Sequence, residues 1–278
     1  MKTTPIRVFK ASGQAVDFSM DKLRTSLSYS GASSKEIQQI LARIENELYS
    51  GISTAEIYNR AFSLLKQKKS SYASKYKLKK AIYELGPTGF PFERFIAAIL
   101  KASDYSAAVG QMVMGRCVDH EVDIIAKKSD TTAYIECKFH NDKGNNCDVK
   151  IPLYIHSRYH DIIAAKKNKT TTEGWVVTNT RFTKDAIQYG RCAQLYLLSW
   201  DYPAQHGLKD RIDKLGLYPV TVSTLLTQRE KDFLLSRDIV LCRQLIGDSF
   251  YLDHLGIGSK RKARIINEIN MICNGKDS

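Results

Sequence analysis

Gly86-Pro87-Thr88-Gly89 divides this chain more sharply than any other four residues in it. Proline lacks a backbone N–H and fixes φ, and glycine on either side frees the backbone, so neither a helix nor a central strand runs through. The pattern before it is helical, and the pattern after it mixes strand and helix. One sheet or one bundle is therefore excluded. A length of 278 residues allows two domains of ordinary size or three small ones.

The segment before the joint begins with Ile6–Phe9, a turn at Ala11–Gly13 and Ala15–Phe18, which reads as a short hairpin. Ser19 caps a predicted helix over Met20–Tyr29 that Gly31 ends. Ser33 or Ser34 opens a second over Lys35–Leu48, where Ile37, Ile40, Leu41, Ile44 and Leu48 share one face. Ser53 with Glu56 has capping-box spacing and opens a third helix to Lys66. A fourth is expected over Tyr72–Leu85.

After the joint, Phe92–Ser103 reads as a helix burying Phe95, Ile96, Ile99 and Leu100. Val109–Val113, Val118–Ala126 and Ala133–Phe139 read as strands rich in β-branched residues. Leu153–Lys167 and Thr183–Cys192 are expected helices, alternating with strands Gly174–Thr178 and Leu195–Ser199, which implies a mixed α/β sheet. From about residue 207 short helical segments take over. The expected class is multidomain α and α/β, with domains at 1–88, 89–206 and 207–278.

Net charge is +13, and most of it lies before the joint, where 15 basic side chains face 7 acidic ones. Seven lysines fall between Lys66 and Lys80, interleaved with Tyr72 and Tyr76. Such a run suits a polyanion and equally suits a solvated helix face. Six cysteines, with no CxxC pair, read as reduced thiols rather than a disulfide framework or zinc site. No apolar run reaches the roughly 18 residues of a membrane span, and no signal-peptide pattern opens the sequence. A cytoplasmic protein with no membrane partner is expected.

Two constellations carry chemistry. Asp123 precedes Glu136-Cys137-Lys138 by a strand-and-return spacing, and period-2 alternation puts Glu136 and Lys138 on one strand face. Two carboxylates in that position hold Mg²⁺ or Mn²⁺, and a lysine beside them orients water or stabilises charge on a phosphate. Glu93 on the preceding helix supplies a further ligand or supporting partner. Charged residues within an apolar strand are costly without partners, which favours the metal site over a plain ion pair of Glu136 with Lys138. His140 and the loop 141–146 either touch a substrate or face solvent. His156, Arg158 and His160 either face phosphates or, as the simpler reading has it, line a surface helix, and Thr178, Asn179 and Thr180 stand at a strand end where a substrate backbone could lie.

This Asp-(x)n-Glu-x-Lys pattern, set between the Phe92-Glu93 helix and Trp175-Val-Val-Thr-Asn-Thr, resembles the PD-(D/E)xK nucleases, in particular the Mrr-type restriction endonucleases, over about residues 89–202. The resemblance implies a restriction-endonuclease-like domain, phosphodiester hydrolysis in DNA with Asp123 and Glu136 on metal and Lys138 and Glu93 in catalysis, and a role in defence against foreign DNA. The opening Val8-Phe9-Lys10-Ala11-Ser12-Gly13 with Asp17-Phe18-Ser19-Met20-Asp21-Lys22-Leu23 resembles the ATP-cone domain, over about residues 3–85. By that resemblance Val8, Phe9, Lys10, Gly13 and Lys22, completed by Ser53, Ile57, Tyr72 and Tyr76, hold ATP or dATP as a regulatory ligand. The family often has Lys-Arg where this chain has Lys10-Ala11. No Walker A loop is present, so hydrolysis for fuel is not expected.

Leu255-Gly256-Ile257-Gly258-Ser259, followed by Lys260-Arg261-Lys262, resembles a helix-hairpin-helix element that binds duplex backbone. The expected protein is a homo-oligomeric, nucleotide-regulated DNA endonuclease. The competing expectations are a nucleotide-sensing DNA-binding regulator that no longer cuts, and a nuclease for RNA or branched DNA.

Overall fold

The computed structural model describes residues 6–10, 13–142, 144–166 and 171–274. In chain order the elements are β1 (Arg7–Phe9), β2 (Ala15–Asp17), α1 (Met20–Ser28), α2 (Ser34–Asn46), α3 (Thr54–Lys68), α4 (Ser70–Tyr76) and α5 (Leu78–Tyr83). Next come α6 (Phe90–Lys101), β3 (Ser106–Met114), β4 (Asp119–Lys128), β5 (Thr131–Lys138), α7 (Lys150–Ala164), β6 (Thr171–Thr178), α8 (Lys184–Cys192) and β7 (Tyr196–Leu198). The tail holds α9 (Leu208–Leu215), a 3₁₀ turn at Val220–Val222, α10 (Gln228–Ser236), α11 (Gln244–Gly247), α12 (Phe250–His254) and α13 (Ser259–Asn274).

Capping explains where the helices start. The Ser19 hydroxyl accepts the Lys22 amide, and Ser33 and Glu36 close a full capping box. Ser53 accepts the Glu56 amide at 3.0 Å, yet the Glu56 carboxylate does not return the bond. It takes the Tyr49 hydroxyl and Arg60 instead. The helix expected over Tyr72–Leu85 is two helices, α4 and α5, parted at Lys77, whose amide falls back on the Ala73 and Ser74 carbonyls. The Ala11 and Ser12 positions of the hairpin turn, and Lys167 at the expected end of α7, lie outside the described residues.

Packing divides the chain into two units: Met1–Ala81 with Val222–Glu230 and Leu245–Ser278, and Ile82–Thr221 with Lys231–Gln244. The tail expected to stand apart as 207–278 is thus shared out between them. In the first unit β1 pairs antiparallel with β2, and Phe9 bridges to Ser53. Its core gathers Val8, Leu27, Ile40, Ile44, Ile57 and Leu65. The tail joins this unit through Glu268 on α13, whose 1%-exposed side chain accepts hydrogen bonds from Ser74 Oγ at 3.0 Å, Ser223 Oγ at 2.5 Å and Thr224 Oγ1 at 2.6 Å.

The second unit is built on a five-stranded sheet of order β3-β4-β5-β6-β7. β3, β4 and β5 are antiparallel; β5, β6 and β7 run parallel, joined through α7 and α8. Helix α6 buries Phe92, Phe95, Ile96, Ile99 and Leu100 and lies across β3, β4 and β5. Period-2 alternation along β5 sorts the layers. Tyr134 and Glu136 meet Tyr159 and Arg158 of α7, whereas Phe139, of the opposite parity, packs on Phe92 of α6 at 5.5 Å. The Gly-Pro-Thr-Gly joint belongs to this unit. A side chain at Gly86 would meet Asn141 at 2.6 Å and Phe139 at 2.7 Å, so only glycine lets the joint pack against the chain just beyond Lys138. No helix among the described residues is long and apolar enough to cross a membrane.

Candidate active site

The site begins where the β4–β5 ladder ends. Pairing runs from Lys128↔Thr131 to Ile124↔Ile135 and stops one step before Asp123 would face Glu136. β5 continues alongside β6 to Lys138↔Thr178. The Asp123 carboxylate accepts the Cys137 amide at 2.7 Å, replacing the ladder bond that the parting strands leave out. On the other side of β4, the β3–β4 ladder skips Gly110 and Asp123 between Val109↔Ile124 and Gln111↔Val122. Gly110 has φ +62°, a left-handed kink opposite Asp123.

Four carboxylates share this opening. Burial raises the Glu93 carboxyl, and the charges of Asp123, Glu136 and Glu121 raise it further, to about 7. Burial likewise raises Asp123, against the Cys137 amide and the Arg158 and Lys138 charges that favour its ionised form. Glu136 is raised by burial and then by Asp123, with Arg158 and Lys138 pulling it down. Arg158 Nη1 holds Glu136 Oε2 at 2.6 Å and also donates to the Glu121 carbonyl at 3.1 Å. The Tyr154 hydroxyl accepts from Nη2 at 3.0 Å. Cys137, between Glu136 and Lys138, is buried and its thiol is raised well above the usual range, so it is packing rather than a nucleophile.

The structure brings together Glu93, Asp123 and Glu136, with the Lys138 charge acting on both Asp123 and Glu136. The ion pair of Glu136 is with Arg158. Arg158 is therefore a member of the site rather than a surface residue, and Glu121 joins it as a fourth carboxylate. A sequence signal for Arg158 existed in the apolar face of its helix, but periodicity does not say which strand residue an arginine meets. Thr178, Asn179 and Thr180 are buried. Asn179 clasps the His140 backbone with two bonds of 2.9 Å, so it braces the chain leaving Lys138 instead of facing substrate. His156 contacts His160 at 2.7 Å and Tyr189 at 2.9 Å. Among the described residues, no three His, Cys, Asp or Glu side chains already stand as a metal-ligand set.

The N-terminal candidates are divided between core and surface. Val8, Ile57 and Tyr72 lie in the core of the first unit, and Ser53 caps α3 beside Phe9. Tyr76 is partly buried, stacks on Tyr58 at 5.0 Å, and burial pushes its hydroxyl up to about 12. Lys10 reaches Gln14 at 3.0 Å across the turn where Gly13 takes φ +79°, and both Lys10 and Lys22 are exposed.

Residues 87–201 match the family model described as restriction endonuclease (Mrr_cat), and residues 218–273 match the AF1548-like, C-terminal model. An uncharacterized protein of Archaeoglobus fulgidus is 28% identical over 178 residues, which are 64% of this chain and 99% of that protein. The crystal structure of AF1548, a protein of unknown function, is matched with a TM-score of 0.57 at 26% identity, over 68% of this chain and 100% of that one. The MspJI restriction endonuclease in complex with a 27-mer oligonucleotide is matched with a TM-score of 0.31 at 14% identity, over 69% of this chain and 39% of that one. The sheet that parts beside Asp123 and Glu136 thus belongs to a restriction-endonuclease-like domain, followed by an AF1548-like C-terminal domain.

Proposed function

We propose that this protein is a divalent-metal-dependent DNA endonuclease whose activity responds to ATP or dATP at its N-terminal unit. The observation that carries the reading is one half-buried opening shared by Glu93, Asp123, Glu136 and Glu121, where burial first and the other three carboxylates next raise the Glu93 carboxyl to about 7. Hard oxygen donors crowded in this way suit Mg²⁺ or Mn²⁺, with Asp123 and Glu136 as ligands and Glu93 in support. A bound Mg²⁺ supplies Lewis acidity to the scissile phosphate. Lys138 orients the attacking water and stabilises negative charge as it builds on the phosphate oxygens. Arg158 favours the ionised form of Glu136 and fixes its rotamer through the 2.6 Å pair. Asn179 holds the backbone just after Lys138 in place.

Nucleotide binding is supported by the ATP-cone resemblance and by the exposed Lys10 and Lys22 around a turn that meets the start of α3 at Ser53. A role in defence against foreign DNA follows the same restriction-endonuclease likeness. The Gly256 turn (φ +69°) uses its own amides on the Asp253 and Leu252 carbonyls and leads into α13, whose exposed start at Gly258, Ser259 and Lys260 would present backbone amides to a DNA phosphate. The test is conversion of supercoiled plasmid to nicked or linear DNA. Cleavage is expected to require Mg²⁺ or Mn²⁺, to be lost in EDTA, and to run at a rate that ATP or dATP changes in the parent but not in Lys22→Ala. Plasmid binding without cleavage under all these conditions would overturn it in favour of a DNA-binding regulator.

A further inference from the structure

The second unit has another concave surface, at the end of the sheet away from Glu136 and Lys138. Lys128 ends β4 there, paired with the first residue of β5, and Tyr196 begins β7. A cleft of about 660 Å³ opens between them and α9, lined by Lys128, His206, Arg211 and Lys214 among its basic residues. That volume accommodates a ligand the size of a mononucleotide.

The charges in this cleft are unbalanced. Of the two acids on its lining, Asp210 is engaged with the Gly207 amide at 3.0 Å, capping its own helix. Asp104 is 90% exposed and lies 3.9 Å from Lys128. Arg211 is half-buried yet has no carboxylate partner among the described residues. Its Nε donates to the His206 carbonyl at 3.2 Å and its Nη2 to the Tyr196 hydroxyl at 2.5 Å. A partly desolvated guanidinium held by neutral acceptors keeps its full charge for a ligand. The wall behind it is stiff: Tyr196 packs on Trp175 at 4.3 Å, Trp175 on Tyr105 at 6.0 Å, and Lys128 sits over Tyr105 at 5.1 Å. Arg211 and Lys128 are therefore placed before any ligand arrives, which lowers the ordering cost of binding.

We infer that this cleft binds a phosphate ester of mononucleotide size, with Arg211 gripping the phosphate and Lys128 and Lys214 flanking it. Trp175 and Arg211 already pack on the Tyr196 ring, so recognition runs through the phosphate and not through base stacking. Two sources share that chemistry: a free nucleotide and the terminal phosphate of a DNA strand.

Titration calorimetry on the full chain in EDTA, with AMP, inorganic phosphate, and 5′-phosphorylated and 5′-hydroxyl dinucleotides, tests the inference independently of cleavage. Lys214→Ala, an exposed change, and Arg211→Gln are expected to weaken phosphate-ester binding about tenfold or more. Lys35→Ala, an exposed change outside both proposed sites, should leave it unchanged. Equal binding of AMP and the phosphorylated dinucleotide identifies a free ester as the ligand, and preference for the dinucleotide identifies a strand end; either supports the inference. It is overturned if no phosphorylated ligand binds, if the 5′-hydroxyl dinucleotide binds as well as the phosphorylated one, or if Lys22→Ala removes binding that Lys214→Ala leaves intact.

Discussion

Glu93 shows how one side chain reports on a whole site. Burial and three neighbouring carboxylates hold its proton up to about 7, above its ordinary 4.5. The folded state thus binds this proton more tightly than the unfolded chain does. The stabilisation from protonated Glu93 is complete below about 4.5 and is lost as pH rises through 7. Glu93→Gln is neutral at every pH, so in EDTA it should melt higher than the parent at pH 8 and equally at low pH. The shift sets a ceiling of about 3 kcal/mol, and partial exposure reduces the gain to on the order of 1–2 kcal/mol. An equal gain at both pH values in thermal unfolding would contradict this cause. Asp123, Glu136 and Lys138 were legible in the sequence because a strand spacing and a period of two are local facts. Glu121 and Arg158 were not, because their part in the site depends on where β3 lets β4 bend and on which strand α7 crosses.

Among the elements, β3 does the least conspicuous work. Its Gly110 takes φ +62° directly across from Asp123, and a side chain there would meet nothing within 4 Å. Gly110→Ala therefore carries a purely conformational cost of about 1 kcal/mol. If the kink aims Asp123, cleavage should fall far more than that loss of stability explains, as kcat measured beside a urea melt would show. Activity kept in proportion to stability would assign the kink to packing alone. Helix starts were readable from Ser19, Ser33 and Thr183, each of which caps through its own hydroxyl. The break between α4 and α5 carried no such mark, since no glycine or proline lies between Tyr72 and Leu85. The break before α13 did, at Gly256.

At the scale of the molecule, the order of the chain and the order of packing differ. The joint at residues 86–89 reads as a boundary, yet the second unit begins at Ile82, and parts of the tail fold with residues 1–81. Charge and composition could not disclose this, because it depends on contacts nearly two hundred residues apart. Glu268 makes one of them, with Ser74. Glu268→Ala leaves the buried Ser223 hydroxyl and the Thr224 amide and hydroxyl without their acceptor, while Ser74 keeps the Ser70 carbonyl, and should destabilise the first unit by roughly 2–4 kcal/mol. Thermal unfolding would register that as a drop of many degrees, whereas a shift within error would mean that the tail is held elsewhere.

The most direct measurement is cleavage of supercoiled plasmid by Glu136→Ala and Lys138→Ala beside the parent protein, with Mg²⁺, at protein concentrations where DNA binding has been shown to be equal. The parent is expected to cut, and both variants to bind the plasmid without cutting it. Cleavage that persists at the parental rate in either variant would contradict the assignment of the site.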